Sequence, residues 1–396
     1  MIMGRILHLG VGNFFRAHQA WYTAQLPDWR ITGVSLRSAA VRDGLAGQGC
    51  AYIVLIQDVG GSRVERITCL DRILVAPEDP QAVIAAVADD AVEVVTLTVT
   101  EKGYHLTPAG KLDESDPAIR ADLAGEGPAT PVGYLAHGLA RRSAPLTVLS
   151  CDNLPENGRK LEQAVQRFAR LAGLTLPGGL MFPCTMVDRI TPATTDAVRQ
   201  KTGDRMAVPT EDFTEWVIED DFAGRRPDWP GVQWVADVAP HEMRKLRMLN
   251  GAHSYLAYAG SLAGHSFVHE AVADPELRQM ARALMAEAAD TLPEDARKVG
   301  YAESLIRRFE NPHLDHRLRQ IAMDGSQKMP VRIAATLKDR TGQKSPALEA
   351  AVSAWLHFVR RECEAGRTLD DPLADRLADA CRSTDPDGAL RAIIGL

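Results

Sequence analysis

The chain has 396 residues, enough for two sizeable cores, and at 45% hydrophobic and 24% charged it has the composition of an ordinary globular protein. Its formal charge of -7 argues against nucleic acid or an anionic membrane as partner, while leaving room for a local basic pocket. Six scattered cysteines, with no Cys-x-x-Cys pair and no zinc-finger histidine pair, read as reduced thiols and no metal site, and no apolar run approaches the ~20 residues of a membrane span.

The first expected element is a short apolar strand over residues 6–9, entered at once and without a signal peptide, so a cytoplasmic location is expected. It runs into Gly10-Val-Gly12-Asn-Phe-Phe-Arg16-Ala-His18 and an amphipathic helix to about residue 24. Strand, glycine turn and helix N-terminus is the arrangement that cradles a pyrophosphate, because free backbone N–H groups and the helix dipole face the anion. Gly10, Gly12, Asn13 and Phe14 are therefore candidate cofactor residues. Phe15 stands where a third glycine is usual, and the competing reading is a tight turn that only packs strand on helix. A second strand over 31–36 ends where an adenosine ribose lies, a place where an acid selects NAD and an arginine accepts the 2′-phosphate of NADP. The chain offers Arg37-Ser38 and no acid before Asp43, so both cofactors stay open.

Residues 77–87 read as a helix, and the β-branched run 92–100 as a buried parallel strand ending in Glu101-Lys-Gly-Tyr104. Functional groups of open α/β sheets gather at the carboxyl ends of strands, which makes Thr100, Glu101 and Lys102 candidates for a cleft edge. A surface insertion with one short helix is expected over 107–131. The strand 146–149 closes in Ser150-Cys-Asp-Asn153, where Asn153 either serves a site or makes an Asx turn for its own loop. A helix over 159–172 and a strand over 181–187 follow, the latter ending at Asp188-Arg189, which either bind a ligand or pair with each other. Strand-like segments over 211–221 and 231–237 come last.

Beyond Pro240 only helical periodicity is expected, over 243–262, 275–291, 302–310, 314–323, 329–338, 347–363 and 373–380. The expected fold is an α/β Rossmann-type N-terminal domain with a mostly parallel sheet over 1–236, followed by an all-α C-terminal domain over 237–396 that carries the catalytic helix. On that helix, at ~100° per residue, Glu242, Lys245, Asn250 and His253 share an arc of about 140° with Leu246 and Leu249. Mixed polar and apolar groups on one face suit a half-closed cleft, in which a lysine loses hydration and serves as a base near neutral pH. The alternative is an amphipathic helix whose Lys245 reaches solvent along its stem.

Six motifs in order carry a resemblance: Leu9-Gly-Val-Gly-Asn-Phe-Phe-Arg-Ala-His18, Thr98-Val-Thr-Glu-Lys-Gly-Tyr104, Ser150-Cys-Asp-Asn153, Val187-Asp-Arg-Ile-Thr-Pro192, Lys245-Leu-Arg-Met-Leu-Asn-Gly-Ala-His253 and Asp324-Gly-Ser-Gln-Lys328. Together the chain resembles the long-chain mannitol dehydrogenase family, zinc-free nicotinamide-dependent polyol and hexonate dehydrogenases. The wording of 316–328 and of Val34-Ser-Leu-Arg-Ser38 is most similar to the fructuronate reductase branch. The resemblance implies Lys245 as general base, Asn153 and Asn250 as amides stabilising the alkoxide, His253 as the residue orienting the hydroxyl, and Asp188 as a binder of a more distant hydroxyl. It implies Glu242 as a carboxylate guiding protons to the lysine.

A uronate or hexonate substrate needs a cation for its carboxylate, and Arg317, Arg319 and Lys328 are the candidates, their alternative being a solvated basic face. The expected activity is NAD(P)-dependent, metal-independent interconversion of a secondary alcohol and a ketone, with D-mannonate and D-fructuronate as the preferred pair. A polyol dehydrogenase acting on mannitol or arabinitol is the alternative, and a catalytically silent nucleotide sensor the reading from another class. The expected partner is a small sugar acid or polyol, with no nucleic acid and no membrane, and the chain is expected to be a monomer or weak homo-oligomer.

Overall fold

The computed structural model describes residues 3–125, 127–296, 300–314 and 316–396. Two compact units divide the chain, Met1–Ala239 and Pro240–Leu396.

The first unit is built on a six-stranded sheet. Its strands β1 (Gly4–Leu9) and β2 (Trp29–Ser35) are joined through two short helices. Next come β3 (Tyr52–Asp58), β4 (Gly61–Ile67) and β5 (Leu70–Val75), then β6 (Val94–Leu97), β7 (Leu146–Ser150) and β8 (Leu180–Met181). The sheet order is β5-β2-β1-β6-β7-β8, parallel at every pairing. Strands β6 and β7, Val-Val-Thr-Leu and Leu-Thr-Val-Leu-Ser, are buried at every position, as parallel strands covered on both faces must be. The order reverses at β1, so the crevice beyond the carboxyl ends of β1 and β6 is the topological switch point, the place where such sheets bind ligands.

Two three-stranded sheets complete the unit. Strand β10 (Val208–Glu211) runs parallel to β3, itself in an antiparallel hairpin with β4, and β9 (Thr185–Asp188) pairs antiparallel with β11 (Glu215–Glu219), which β12 (Gln233–Val235) flanks. The hairpin β3–β4 was not among the expected elements: β3 and the Gly60-Gly61 turn carry a local signal, but β4 is buried only at Ile67, so no in-and-out alternation marks the second strand. The single strand expected over 181–187 is two strands in two different sheets, β8 and β9, with Pro183 between them. Proline has no N–H for a ladder, and the chain changes sheets there. The one helix expected after the glycine turn is likewise two, Asn13–Ala17 and Gln19–Thr23, broken at His18.

The second unit is helical throughout its described residues apart from one isolated bridge between Phe267 and Arg317. Helix Gly251–Ala263 is its centre, packed against Pro346–Glu364, Leu318–Ala322 and Pro275–Ala289. Helices Val268–Ala273 and Pro386–Ile393 add to those expected from periodicity. Two segments depart from α geometry, Lys245–Asn250 and Pro330–Ala334, both π-helical and in contact with each other. Pro330 cannot donate to the turn before it, which opens the helical ladder at that point.

Candidate active site

The glycine turn is built for a close approach. Gly10 has φ +103°, and a Cβ there would stand 2.1 Å from the Thr98 carbonyl oxygen, so only glycine fits between β1 and β6. A Cβ on Gly12 would meet nothing within 4 Å, which leaves open space over the turn. The first amides of Asn13–Ala17 have no acceptor inside that helix. Asn13 donates to the Pro192 carbonyl at 3.3 Å and accepts from Arg16 at 2.6 Å, so its amide ties the turn to distant loops, while Phe14 is half-buried and stacks on His18. The missing third glycine has a physical substitute. Phe15 is fully buried with its ring stacked on His8 at 3.6 Å, and that stack sets the spacing of strand and helix.

His8 is itself enclosed, bonded to Thr96 Oγ1 at 2.7 Å and Thr98 Oγ1 at 2.9 Å, and burial pulls its imidazole down to about 3. A histidine whose folded pKa lies below its unfolded value of 6.5 leaves the unfolded chain binding more protons between those two pH values. Stability is therefore undiminished above pH 6.5 and falls as the pH drops toward 3, by up to about 1.4 kcal/mol per pH unit from this group. Urea unfolding between pH 7.5 and 4.5 should show a shallower acid loss for His8→Asn than for the wild type, despite a lower starting stability; equal slopes would show that His8 is not the cause.

At the ends of β6 and β7 the structure adds a residue not singled out in the sequence. The Asp152 carboxylate accepts from the amides of Val99 and Thr100, both at 2.9 Å, and from the Tyr104 hydroxyl at 2.7 Å; burial raises its pKa against those bonds. The clamp holds Thr100 at φ +66° and ψ 161°, a conformation nearly confined to glycine. Thr100, Glu101 and Lys102 are exposed beyond it, and Arg37 is exposed after β2. Asn157, fully buried and bonded to Thr185 N and O at 2.9 and 2.8 Å, anchors the loop on which Asn153 is exposed. Asp188 is buried on β9 opposite Glu215. Arg189 spans Trp21 at 4.7 Å and donates to the carbonyls of Ala17 and Glu211.

In the second unit, Glu242 and Arg244 lie on Ala239–Arg244 and Lys245 opens the π turn. In a regular α-helix, residues five apart point about 140° away from each other. A π turn puts residue i+5 where i+4 would stand, and so brings Lys245 and Asn250 onto one face. The expected arc is thus narrowed by the backbone itself. Glu242, Lys245, Leu246 and Asn250 are half-buried and Leu249 is buried, a mixed and partly dry wall. His253 follows on Gly251–Ala263, 7% exposed, packed on Phe309 at 4.5 Å and His316 at 5.2 Å. Burial, then the neighbouring His316, Arg308 and Arg332, hold its imidazole well below the usual range, so it is neutral near pH 7.

Each of the three cations expected to face a carboxylate has a partner within the second unit, and Lys328 is also close enough to Arg332 for their charges to repel. Arg319 is exposed and bonds Glu362 at 2.8 Å, and Arg317 is exposed over the Phe267 ring. Lys328 donates to the Met323 and Ile321 carbonyls at 2.6 and 3.3 Å, closing the end of Leu318–Ala322. The cations that do flank His253 are Arg308 and Arg332, with His316. Their one signal in the sequence is Pro330 inside a helical pattern, two residues before Arg332.

Comparison with known proteins assigns both units. The Mannitol dehydrogenase Rossmann domain profile matches residues 4–231 and the Mannitol dehydrogenase C-terminal domain profile matches residues 237–392. D-mannonate oxidoreductase of Escherichia coli is 39% identical over 99% of this chain and 88% of its own length. Among solved structures, substrate-free D-sorbitol dehydrogenase superposes with a TM-score of 0.89 at 31% identity, over 99% of this chain and 92% of that one. Mannitol 2-dehydrogenase of Pseudomonas fluorescens in ternary complex with NAD and D-mannitol gives 0.81 at 33%, over 99% and 87%.

Proposed function

From the premise that the chain belongs to the mannitol dehydrogenase family of oxidoreductases, we propose that it interconverts a secondary alcohol of a sugar acid and its ketone, with D-mannonate as the preferred alcohol. The observation that carries the reading is the π turn with Lys245 and Asn250 on one half-buried face. Lys245 takes the hydroxyl proton as the carbinol carbon gives up hydride, and the Asn250 amide donates to the oxygen as negative charge grows on it. Neutral His253 orients that hydroxyl, and Glu242, one turn earlier, passes the proton onward.

A nicotinamide dinucleotide supplies the hydride acceptor, and the first unit's residues fit one: a glycine-only turn at the switch point, open space over Gly12 and unpaired amides after it. Gly10, Gly12, Asn13 and Phe14 frame the pyrophosphate, and Thr100, Glu101 and Lys102 the neighbouring strand end. NAD is the cofactor we favour, given its presence in the Pseudomonas fluorescens relative. Arg37 in place of an acid after β2 is compatible with NADP as well. A polyol such as D-mannitol is the second reading, supported by that same relative's bound alcohol. Amide hydrogen-bonding to the alkoxide fills the office a metal fills elsewhere, so the reaction is proposed to need none.

The test is absorbance of reduced nicotinamide with D-mannonate and D-mannitol, each with NAD and NADP. The expected result is turnover of D-mannonate with NAD, unchanged by added chelator. Turnover of polyols alone would move the substrate to the second reading, and loss of activity restored by zinc would overturn the metal-free mechanism. Cofactor binding without turnover on any hexonate or polyol would favour a silent sensor.

A further inference from the structure

We infer that Arg332 forms a carboxylate-binding subsite beside the Lys245–Asn250 turn, so that the second unit is built to select an anionic hexonate over a neutral hexitol. The inference deepens the oxidoreductase reading above and rests on it for the identity of the reacting group.

Arg332 stands on the π turn Pro330–Ala334 that packs against Lys245–Asn250. Its Nη1 donates to Ser254 Oγ at 3.1 Å and lies 3.5 Å from the Asn250 carbonyl oxygen, which anchors one arm of the guanidinium one helical turn from His253. Among the described residues its Nε and Nη2 make no hydrogen bond, and neither is sealed from solvent. This leaves a donor edge open beside the carbonyl of Asn250.

The electrostatic setting separates this arginine from its neighbours. Arg247 pairs with Asp339 at 2.5 Å, Arg340 with Asp290 at 2.7 Å, Arg278 with Glu310 at 2.7 Å and Arg319 with Glu362 at 2.8 Å. Arg332 has no carboxylate partner among the described residues, although its guanidinium is largely buried; burial lowers its pKa, and the Tyr258 hydroxyl is the group that opposes the shift. A buried charge without a counter-ion is costly, and a bidentate carboxylate is the ligand whose geometry matches the guanidinium fork. His253 points the same way, since its Nε2 is buried with no hydrogen-bond partner among the described residues and the ring is neutral. Arg332 sets an open guanidinium edge beside the neutral His253 ring, and the planar fork matches a carboxylate, which accepts two parallel N–H bonds.

The experiment is calorimetric titration of the full chain, saturated with reduced nicotinamide dinucleotide, with D-mannonate, D-mannitol and a hexitol phosphate. Wild-type protein is expected to bind D-mannonate at least about ten-fold more tightly than D-mannitol, and Arg332→Gln to bring that ratio close to one. Arg332→Lys, which keeps the charge without the fork, should restore part of the preference, and it carries the test if the glutamine variant does not fold. A wild-type ratio near one, a ratio unmoved in Arg332→Gln, or tightest binding of the phosphate would each overturn the subsite. Parallel turnover assays separate the two failures. Arg332-dependent binding without turnover defeats the oxidoreductase reading alone, and turnover of hexonates with a ratio indifferent to Arg332 defeats the subsite alone.

Discussion

Lys245→Ala is expected to lower turnover by about 10²–10⁴-fold while leaving the dissociation constant of the nicotinamide dinucleotide unchanged. The lysine lies in the second unit, on the turn Lys245–Asn250, whereas the residues proposed to hold the dinucleotide belong to the first, so the loss should fall on chemistry and not on cofactor binding. Because Lys245 is only half-buried, its removal opens no deep cavity, and the unfolding midpoint should move little. A small primary amine added to the variant should recover some rate, since it returns a base to the vacated volume. The measurements are steady-state kinetics and fluorescence titration of reduced nicotinamide. Near-normal turnover would remove Lys245 from the role of base.

For Asn250→Ala, in the proposed role of alkoxide donor, the expected loss is about 10²–10³-fold in kcat, the usual cost of removing one such donor. The Michaelis constant for the sugar should change far less, because the amide's bond strengthens as charge builds on the oxygen. Asn250→Asp should be worse than alanine, since it sets a negative charge against the alkoxide. An Asn250→Ala variant that raises KM and spares kcat would make the residue a ground-state contact instead. The π turn sharpens the prediction: Lys245 and Asn250 share a face only because the turn is widened, so the two should act as a unit and their losses should combine less than additively.

Much of the architecture was legible residue by residue. The strand-turn-helix at Gly10, the β-branched runs that became β6 and β7, and the uninterrupted helical periodicity after Pro240 are local patterns, and the fold followed them. Within the hairpin β3–β4, strand β4 was not legible because a strand exposed on nearly every residue has no periodicity to detect. The break at Pro183 was written in the sequence as a proline inside a strand-like run, but the exchange of sheets across it was not. Lys245, Asn250 and His253 were legible as candidates from residue type and spacing alone. The cations Arg308 and Arg332 beside His253 were not, whereas Arg317, Arg319 and Lys328, taken from the motif and its flank, meet an aromatic face, the Glu362 carboxylate and helix-end carbonyls respectively.

The division has one physical cause. Side-chain period, glycine and proline backbone preferences and motif spacing are properties of neighbours along the chain, and they determined the Rossmann-type first unit, the helical second unit and the helix that bears the lysine. Whether a charge is buried, and whether it meets a counter-ion, depends on segments that only folding brings together. That is why tertiary structure alone decided that Asp152 clamps Thr100, that Phe15 replaces a glycine by stacking on His8, and that Arg332 keeps an open donor edge without a carboxylate.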